Sequence, residues 1–204
     1  AFLFSRGFIK TGLGKRIAYN LISAFGSSSL RLAYALALSD LILAPATPSN
    51  TARVGGVIMP ITTSLAKAFG SEPQDGPRKI GSFLMQSIYQ VNTITSAMFQ
   101  TSMAGNTLVA ALALQSFGIG ITWGDWAMAA IVPGIIALII MPYFIYKVYP
   151  PEIKDAREAQ QMIREELKGL GKISFQEWVM LGVFILALVL WATSQFTKLD
   201  ATTV

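Results

Sequence analysis

The apolar run from Trp126 to Tyr149 limits what this chain can fold into more than any other feature. It is longer than the roughly 20 apolar residues that a helix needs to cross a bilayer. Aromatic residues of the kind that favour the membrane–water interface stand near its ends, namely Trp123, Trp126, Tyr143, Tyr146 and Tyr149. We therefore predict a membrane-spanning helix here, and a second one that begins at Phe175.

The composition agrees with a membrane protein. Charged residues make up 13% of the 204 residues, whereas a soluble domain has about 25%, and the mean hydropathy is +0.53. The chain has neither cysteine nor histidine, which excludes disulfides, thiolate metal sites and the commonest general base. Its net charge of +5 does not indicate nucleic-acid binding, because the basic residues form short clusters beside apolar runs.

The positions of the basic residues predict the topology. If residues 80–114 and 126–149 each cross the membrane once, fourteen of the 16 Lys and Arg residues lie on one side. That side is the cytoplasm by the positive-inside rule, which also places the charged linker 150–173 there as a surface helix. Only Arg53 and Lys198 are exceptions.

Residues 29–69 begin and end on this same side. They could form two full spans or a re-entrant hairpin that reaches only the middle of the membrane. Both apolar arms, 30–46 and 51–69, are short for a span, and irregular backbone at membrane depth is tolerated only inside protein or beside a wet cavity. Both observations favour the hairpin.

The segment PATPSNTAR, residues 45–53, forms the tip of this hairpin. Pro45 and Pro48 end the first arm, and Ser49 or Asn50 caps the second one. A helix N-terminus that points into the tip attracts anions. Thr47, Ser49, Asn50 and Thr51 add polar side chains, and the guanidinium of Arg53 fits a carboxylate. The alternative is a plain cap and an arginine that extends to the membrane surface.

A second candidate site lies in SAMFQTSMAGNTL, residues 96–108. A membrane helix that breaks at Gly105 and Asn106 exposes backbone groups that can hold an ion or a substrate. A polar face packed on other helices is an equally good interpretation. Asp40 is a weaker candidate. It could pair with Arg53 or with Arg31, or line a wet face, and we interpret it as structural.

Four segments carry a resemblance to a known family: FIKTGLGKRIA (8–18), LAPATPSNTAR (43–53), ITSAMFQTSMAGN (94–106) and YKVYPPEIKDA (146–156). The chain resembles the divalent anion:sodium symporter superfamily, in the branch of the 2-oxoglutarate/malate translocators and the citrate/succinate or tartrate/succinate antiporters. The resemblance implies an all-α polytopic membrane protein of two inverted repeats, each with a re-entrant hairpin and a broken transmembrane helix. It also implies a homodimer, with the substrate held between the hairpin tips.

On this basis we expect five segments. They are the end of a scaffold helix with an interfacial arm (1–28), the re-entrant hairpin (29–69), the broken helix with the following transmembrane helix (70–149), the linker helix (150–173) and the truncated first transmembrane helix of the second repeat (174–204). Both ends of the sequence suggest a fragment, the N-terminal half of a bacterial inner-membrane protein.

The expected function is secondary transport of di- or tricarboxylates such as 2-oxoglutarate, malate, succinate or citrate, without an enzymatic step. The predicted substrate-binding residues are Thr47, Ser49, Asn50, Thr51, Arg53, Gly105 and Asn106. We expect no cofactor and no metal, because Pro45 and Arg53 flank the tip where sodium-coupled relatives need oxygen ligands, and we therefore predict anion exchange. In the alternative, a sodium symporter, Ser49, Asn50 and Gly105 would hold Na+. A membrane-embedded enzyme and a non-transporting scaffold subunit are further alternatives.

Overall fold

The computed structural model describes residues 2–193, with side chains from residue 6 onward. That range is helical and contains no β-strand, which confirms the predicted all-α class. Its helices are α1 (Phe2–Thr11), α2 (Leu13–Phe25), α3 (Ser29–Leu43), α4 (Asn50–Arg53), α5 (Met59–Ala68), α6 (Gly81–Met98), α7 (Ala104–Phe117), α8 (Trp123–Val148), α9 (Arg157–Gly169) and α10 (Phe175–Ala192). Residues 194–204, including Lys198 and the end of the predicted last segment, lie outside the described residues.

Three helical segments of the described chain are long and apolar enough to cross a membrane: Ser29–Ala46, α8 and α10. They differ in their surroundings, because the first is 67% buried inside the protein and α8 is only 22% buried. The exposed face of α8 is apolar, with Val132, Ile136 and Ile139 each more than half exposed. Such a surface suits contact with lipid or with another apolar surface.

Residues 29–69 fold into a helical hairpin whose arms match the predicted ones closely. The first arm is α3, extended by a 3₁₀ turn over Ala44–Ala46. The second arm starts at Asn50 and continues to Ala68 through a π-helical segment, Val54–Ile58. The Oγ of Ser49 accepts a hydrogen bond from the backbone N–H of Ala52 at 3.2 Å, so Ser49 is the N-cap.

The polar helix that follows is interrupted, but earlier than the sequence predicted. The break runs from Phe99 to Met103, both of which are extended, with a 3₁₀ turn between them. Gly105 and Asn106 lie instead in the first turn of α7. Asn106 stabilises the earlier break, because its Nδ2 donates to the carbonyls of Ser96 at 2.7 Å and Phe99 at 2.9 Å, at the end of α6 and in the break.

The linker connects the basic segments at the opposite end of the fold. The backbone N–H of Ile153 donates to the carbonyl of Lys79 at 2.9 Å, and the N–H of Ser29 donates to the carbonyl of Lys154 at 3.0 Å. Helix α9 packs along α2. The linker therefore contacts three segments that carry predicted cytoplasmic charges, namely the loop before α6, the start of α3 and helix α2. The cytoplasmic location of these segments stays a prediction.

Candidate functional site

The hairpin tip and the break between α6 and α7 pack against each other. The 3₁₀ turns Ala44–Ala46 and Gln100–Ser102 are in contact, and both are buried. The hydroxyl of Thr101 donates to the carbonyl of Pro45 at 2.6 Å. The Nδ2 of Asn50 lies 4.0 Å from the Sδ of Met103. The structure thus brings together the two regions that the sequence singled out separately.

The Ser-Asn-Thr triplet lies at the accessible side of this junction. Ser49 and Asn50 are partly exposed and Thr51 is exposed. The Oδ1 of Asn50 accepts a hydrogen bond from the backbone N–H of Thr51 at 2.8 Å, while its Nδ2 lies beside Met103 at the helix break. Thr47 is buried instead, and its hydroxyl donates to the carbonyl of Leu43 at 2.8 Å.

Arg53 occupies the interior of the junction, where it is only 1% exposed. All five of its N–H donors have acceptors in the protein. Nε donates to Asp40, Nη1 donates to the carbonyls of Thr47 and Ser102, and Nη2 donates to the hydroxyls of Thr95 and Ser96. The prediction that Arg53 offers a free guanidinium to a substrate carboxylate therefore needs correction, because its donors are already used.

Asp40 supplies the carboxylate that Arg53 needs. The Nε of Arg53 lies 2.8 Å from Oδ1 of Asp40, and both side chains are essentially inaccessible to solvent. The second oxygen, Oδ2, accepts hydrogen bonds from the hydroxyl of Thr95 and from Nδ2 of Asn92. A buried ion pair is stable only when its geometry is good and its other hydrogen-bonding groups are satisfied. Asp40 and Arg53 meet both conditions. Of the two partners predicted for Asp40, the structure selects Arg53.

Sequence analysis did not identify Asn92, Thr95 and Ser96 as partners of this ion pair. A signal was present, because positions 92, 95 and 96 follow the i, i+3, i+4 spacing that places side chains on one face of a helix. The face of α6 that they form is polar although Thr95 and Ser96 are buried inside the protein. A buried polar face of this kind requires an internal partner, and Asp40 with Arg53 provides it.

Gly105 and Asn106 lie in the first turn of α7, directly after the helix break. Asn106 is buried, with its amide donors used by α6. Gly105 is partly exposed in the first turn of α7, and a Cβ on it would lie 3.2 Å from Cε of Met103. Among the predicted site residues, Ser49, Asn50, Thr51 and Gly105 are therefore accessible, whereas Thr47, Arg53 and Asn106 are buried.

This arrangement favours a small anion. The helix that begins at Asn50 and the helix that begins at Ala104 both have their N-terminal ends at the junction, and helix N-termini carry partial positive charge. The negative charge of Asp40 is paired with Arg53 and buried. It therefore does not repel an anion that approaches the junction. Within the described residues, no group of three or more Asp and Glu side chains could hold a metal ion.

The chain is similar to known transport proteins over its whole length. The family model of the sodium:sulfate symporter transmembrane region matches residues 1–204. The protein named "Putative malate transporter YflS" of Bacillus subtilis is 54% identical over 204 residues, which are 100% of this chain and 43% of that protein. The chloroplastic dicarboxylate transporter 1 of Spinacia oleracea is 47% identical over 204 residues, 100% of this chain and 36% of that protein.

The L-tartrate/succinate antiporter of Escherichia coli (strain UTI89 / UPEC) is 40% identical over 192 residues, which are 94% of this chain and 39% of the antiporter. The chain thus spans less than half the length of the curated relatives it matches. The names of the family and of these relatives are those of transport proteins rather than enzymes, as the motifs predicted.

Proposed function

This chain belongs to the family of the sodium:sulfate symporter transmembrane region, the divalent anion:sodium symporters that its motifs resemble, and from that premise we propose that it carries half of the substrate site of a carboxylate transporter. The substrate is a C4 to C6 di- or tricarboxylate. It binds at the accessible Ser49-Asn50-Thr51 tip, beside Gly105, and the protein moves it across the membrane by alternating access. In this proposal residues 29–69 are a re-entrant hairpin, and the remaining half-site comes from a second, inverted repeat.

The observation that carries this proposal is the junction between the hairpin tip and the helix break. Two helix N-termini meet there, beside the hydroxyl of Ser49 and the amide of Asn50, which are partly exposed. Discontinuous helices of membrane transporters direct their N-termini at anionic substrate groups. The relatives named for dicarboxylates, for malate and for tartrate/succinate support a substrate of this class.

The same junction supports exchange rather than symport with sodium. Unwound backbone carbonyls are the usual ligands of Na+ in such carriers. Here the carbonyl of Pro45 accepts from Thr101, and those of Thr47 and Ser102 accept from Arg53. A cation would have to compete with these donors. The alternative, sodium symport, would use the side chains of Ser49 and Asn50 with the backbone of Gly105.

The proposal is tested by uptake of radiolabelled malate or succinate into proteoliposomes that contain the intact protein and are preloaded with unlabelled dicarboxylate. We expect rapid uptake that needs the internal dicarboxylate and changes by less than about twofold when choline replaces sodium. A strict requirement for sodium would favour the symport alternative. Absence of uptake with any dicarboxylate would contradict transport and favour a scaffold subunit.

We also propose that the intact protein is a homodimer in a bacterial inner membrane, with α9 on the cytoplasmic side. The exposed apolar surfaces of α8 and α10 support this, because they require lipid or a second apolar surface to cover them.

A further inference from the structure

Thr101 connects the hairpin tip to the beginning of α8. Its hydroxyl donates to the carbonyl of Pro45 at 2.6 Å, and its Oγ1 accepts from the indole N–H of Trp123 at 3.0 Å. An indole N–H can only donate, whereas a hydroxyl has one proton to give. The direction of the two bonds is therefore determined: Trp123 donates to Thr101, and Thr101 donates to Pro45.

The carbonyl of Pro45 depends on this external donor. In a 3₁₀ turn it would accept from the N–H of the residue three positions later, which is Pro48 and has none. Ser49 is extended and begins the next helix. An unpaired buried carbonyl is costly, and Pro45 is buried. The first arm ends at Ala46, and the hydroxyl of Thr101 supplies the hydrogen bond that the carbonyl of Pro45 lacks in this last turn.

The indole of Trp123 is held in place from both sides. It stacks on the ring of Phe99, with centroids 5.8 Å apart and planes 17° apart, and on the ring of Trp191, with centroids 6.4 Å and planes 20° apart. A capping box between Thr122 and Asp125 defines the first turn of α8. The donor that reaches Thr101 is thus oriented by the break, by α8 and by α10 together.

We propose that Trp123 and Thr101 are positioning residues of the substrate site. The relay from the indole through the hydroxyl to Pro45 sets the end of the first hairpin arm, and thereby the place of Ser49, Asn50 and Thr51. Neither residue touches the substrate. The inference rests on the proposed function for its effect on transport, but the geometry of the tip can be measured without transport.

The first test measures KM for the dicarboxylate with four single variants of the intact protein and with the double variant Trp123→Phe/Thr101→Val. Trp123→Phe keeps the stacking and removes the N–H, Thr101→Val removes the hydroxyl, and Thr101→Ser restores it. Trp126→Phe is the matched control, because Trp126 lies one turn further along α8 and donates its indole N–H to the carbonyl of Ala97 at 2.9 Å and not to Thr101.

We expect KM for the dicarboxylate to rise about 3- to 10-fold in Trp123→Phe and in Thr101→Val, as the loss of one hydrogen bond predicts. The maximal rate per folded protein stays within about twofold. Because Trp123 and Thr101 act on the same carbonyl, the KM of the double variant is no higher than that of Thr101→Val alone. Thr101→Ser and Trp126→Phe resemble the wild type. Unchanged KM in Trp123→Phe, additive effects, or equal damage by Thr101→Ser and Thr101→Val would overturn the proposal.

The second test measures amide hydrogen exchange of the peptide that covers residues 45–53. We expect faster exchange in Trp123→Phe and Thr101→Val than in wild type, with no change in Trp126→Phe. Equal exchange in all four proteins would overturn the relay. A wild-type protein that takes up no dicarboxylate would contradict the proposed function. The rate of amide hydrogen exchange at residues 45–53 would still show whether Trp123 and Thr101 position the tip.

Discussion

Two of the ion pairs in the described part of the chain lie in different surroundings, one at the hairpin tip and one between α2 and α10. Asp40–Arg53 lies at the junction of hairpin tip and helix break, with both side chains fully enclosed. Arg16–Glu177 lies at the end where the linker packs on α2, with side chains 13% and 5% exposed. Arg16 also donates to the carbonyl of Gly171 at 3.0 Å, so this pair joins α2 to the start of α10.

The two pairs differ in what replaces a lost partner. Water can reach Arg16 from the nearby surface, whereas nothing but protein surrounds Arg53. Removing one member of a fully buried pair leaves an uncompensated charge, which costs far more than the pair contributes as a whole. The tip junction, although it carries the accessible Ser-Asn-Thr triplet, therefore tolerates a change of charge less well than the Arg16–Glu177 pair does.

The largest effect is expected from Asp40→Asn, which keeps the shape of the side chain and leaves Arg53 without its counter-ion. Purified intact protein should lose about 3–5 kcal/mol of stability, measured by thermal unfolding in detergent, and should lose uptake. The double variant Asp40→Asn/Arg53→Gln provides the sharper test, because it removes both charges and should be more stable than Asp40→Asn alone. A double variant that is less stable than both single variants would show that the charges do not act as a pair.

A smaller effect is expected from Glu177→Gln, the corresponding change at the other end. The amide oxygen can take the place of Oε2, which accepts from the backbone N–H of Ser174 at 2.7 Å and from Nη2 of Arg16. The amide nitrogen then replaces Oε1, so the bond from Nε of Arg16 is lost. We expect a loss of about 1–3 kcal/mol in the same unfolding measurement, with the KM for dicarboxylate unchanged. A destabilisation equal to that of Asp40→Asn would refute the comparison between the two pairs.

The smallest effect is expected from Asp155→Asn, the third exchange of a carboxylate for an amide. Asp155 pairs with Arg157 at 2.5 Å, but both side chains are more than half exposed, and exposed pairs contribute little. The unfolding temperature should match that of the wild type.

The pH dependence of this exposed pair has a defined sign. The hydrogen bond from Arg157 lowers the pKa of the Asp155 carboxyl below its ordinary value. A lowered pKa stabilises the folded state above the unfolded pKa, and that contribution disappears as the pH falls through the folded pKa. Between about pH 5 and pH 8 the carboxyl is ionised in both the folded and the unfolded state. The unfolding temperatures of the wild type and of Asp155→Asn should therefore change with pH in the same way over this range. If the difference between the two unfolding temperatures changed within that range, the Asp155–Arg157 pair would contribute more to stability than we expect.

The local elements could be predicted from the sequence because local rules govern them. The two prolines and Ser49 ended one arm and capped the next, so the hairpin arms matched the structure closely. Apolar length identified α8 and α10. The break of the polar helix was placed too late, because its position depends on Ser102 and Asn106, whose side chains fold back onto the carbonyls of α6. Nothing in their local sequence indicates which carbonyls they reach.

The sequence by itself determined that the chain is a helical membrane protein, where its tip lies and which family its motifs resemble. Hydropathy, proline geometry and helix capping act over a few residues, so they can be read from neighbouring letters. Only the tertiary structure decided what Arg53 does. Its five donors meet acceptors from α3, the tip, α6 and the break, and packing alone determines which of these groups come within hydrogen-bond distance. A residue that resembled a substrate ligand is thereby the internal connection that holds the site together.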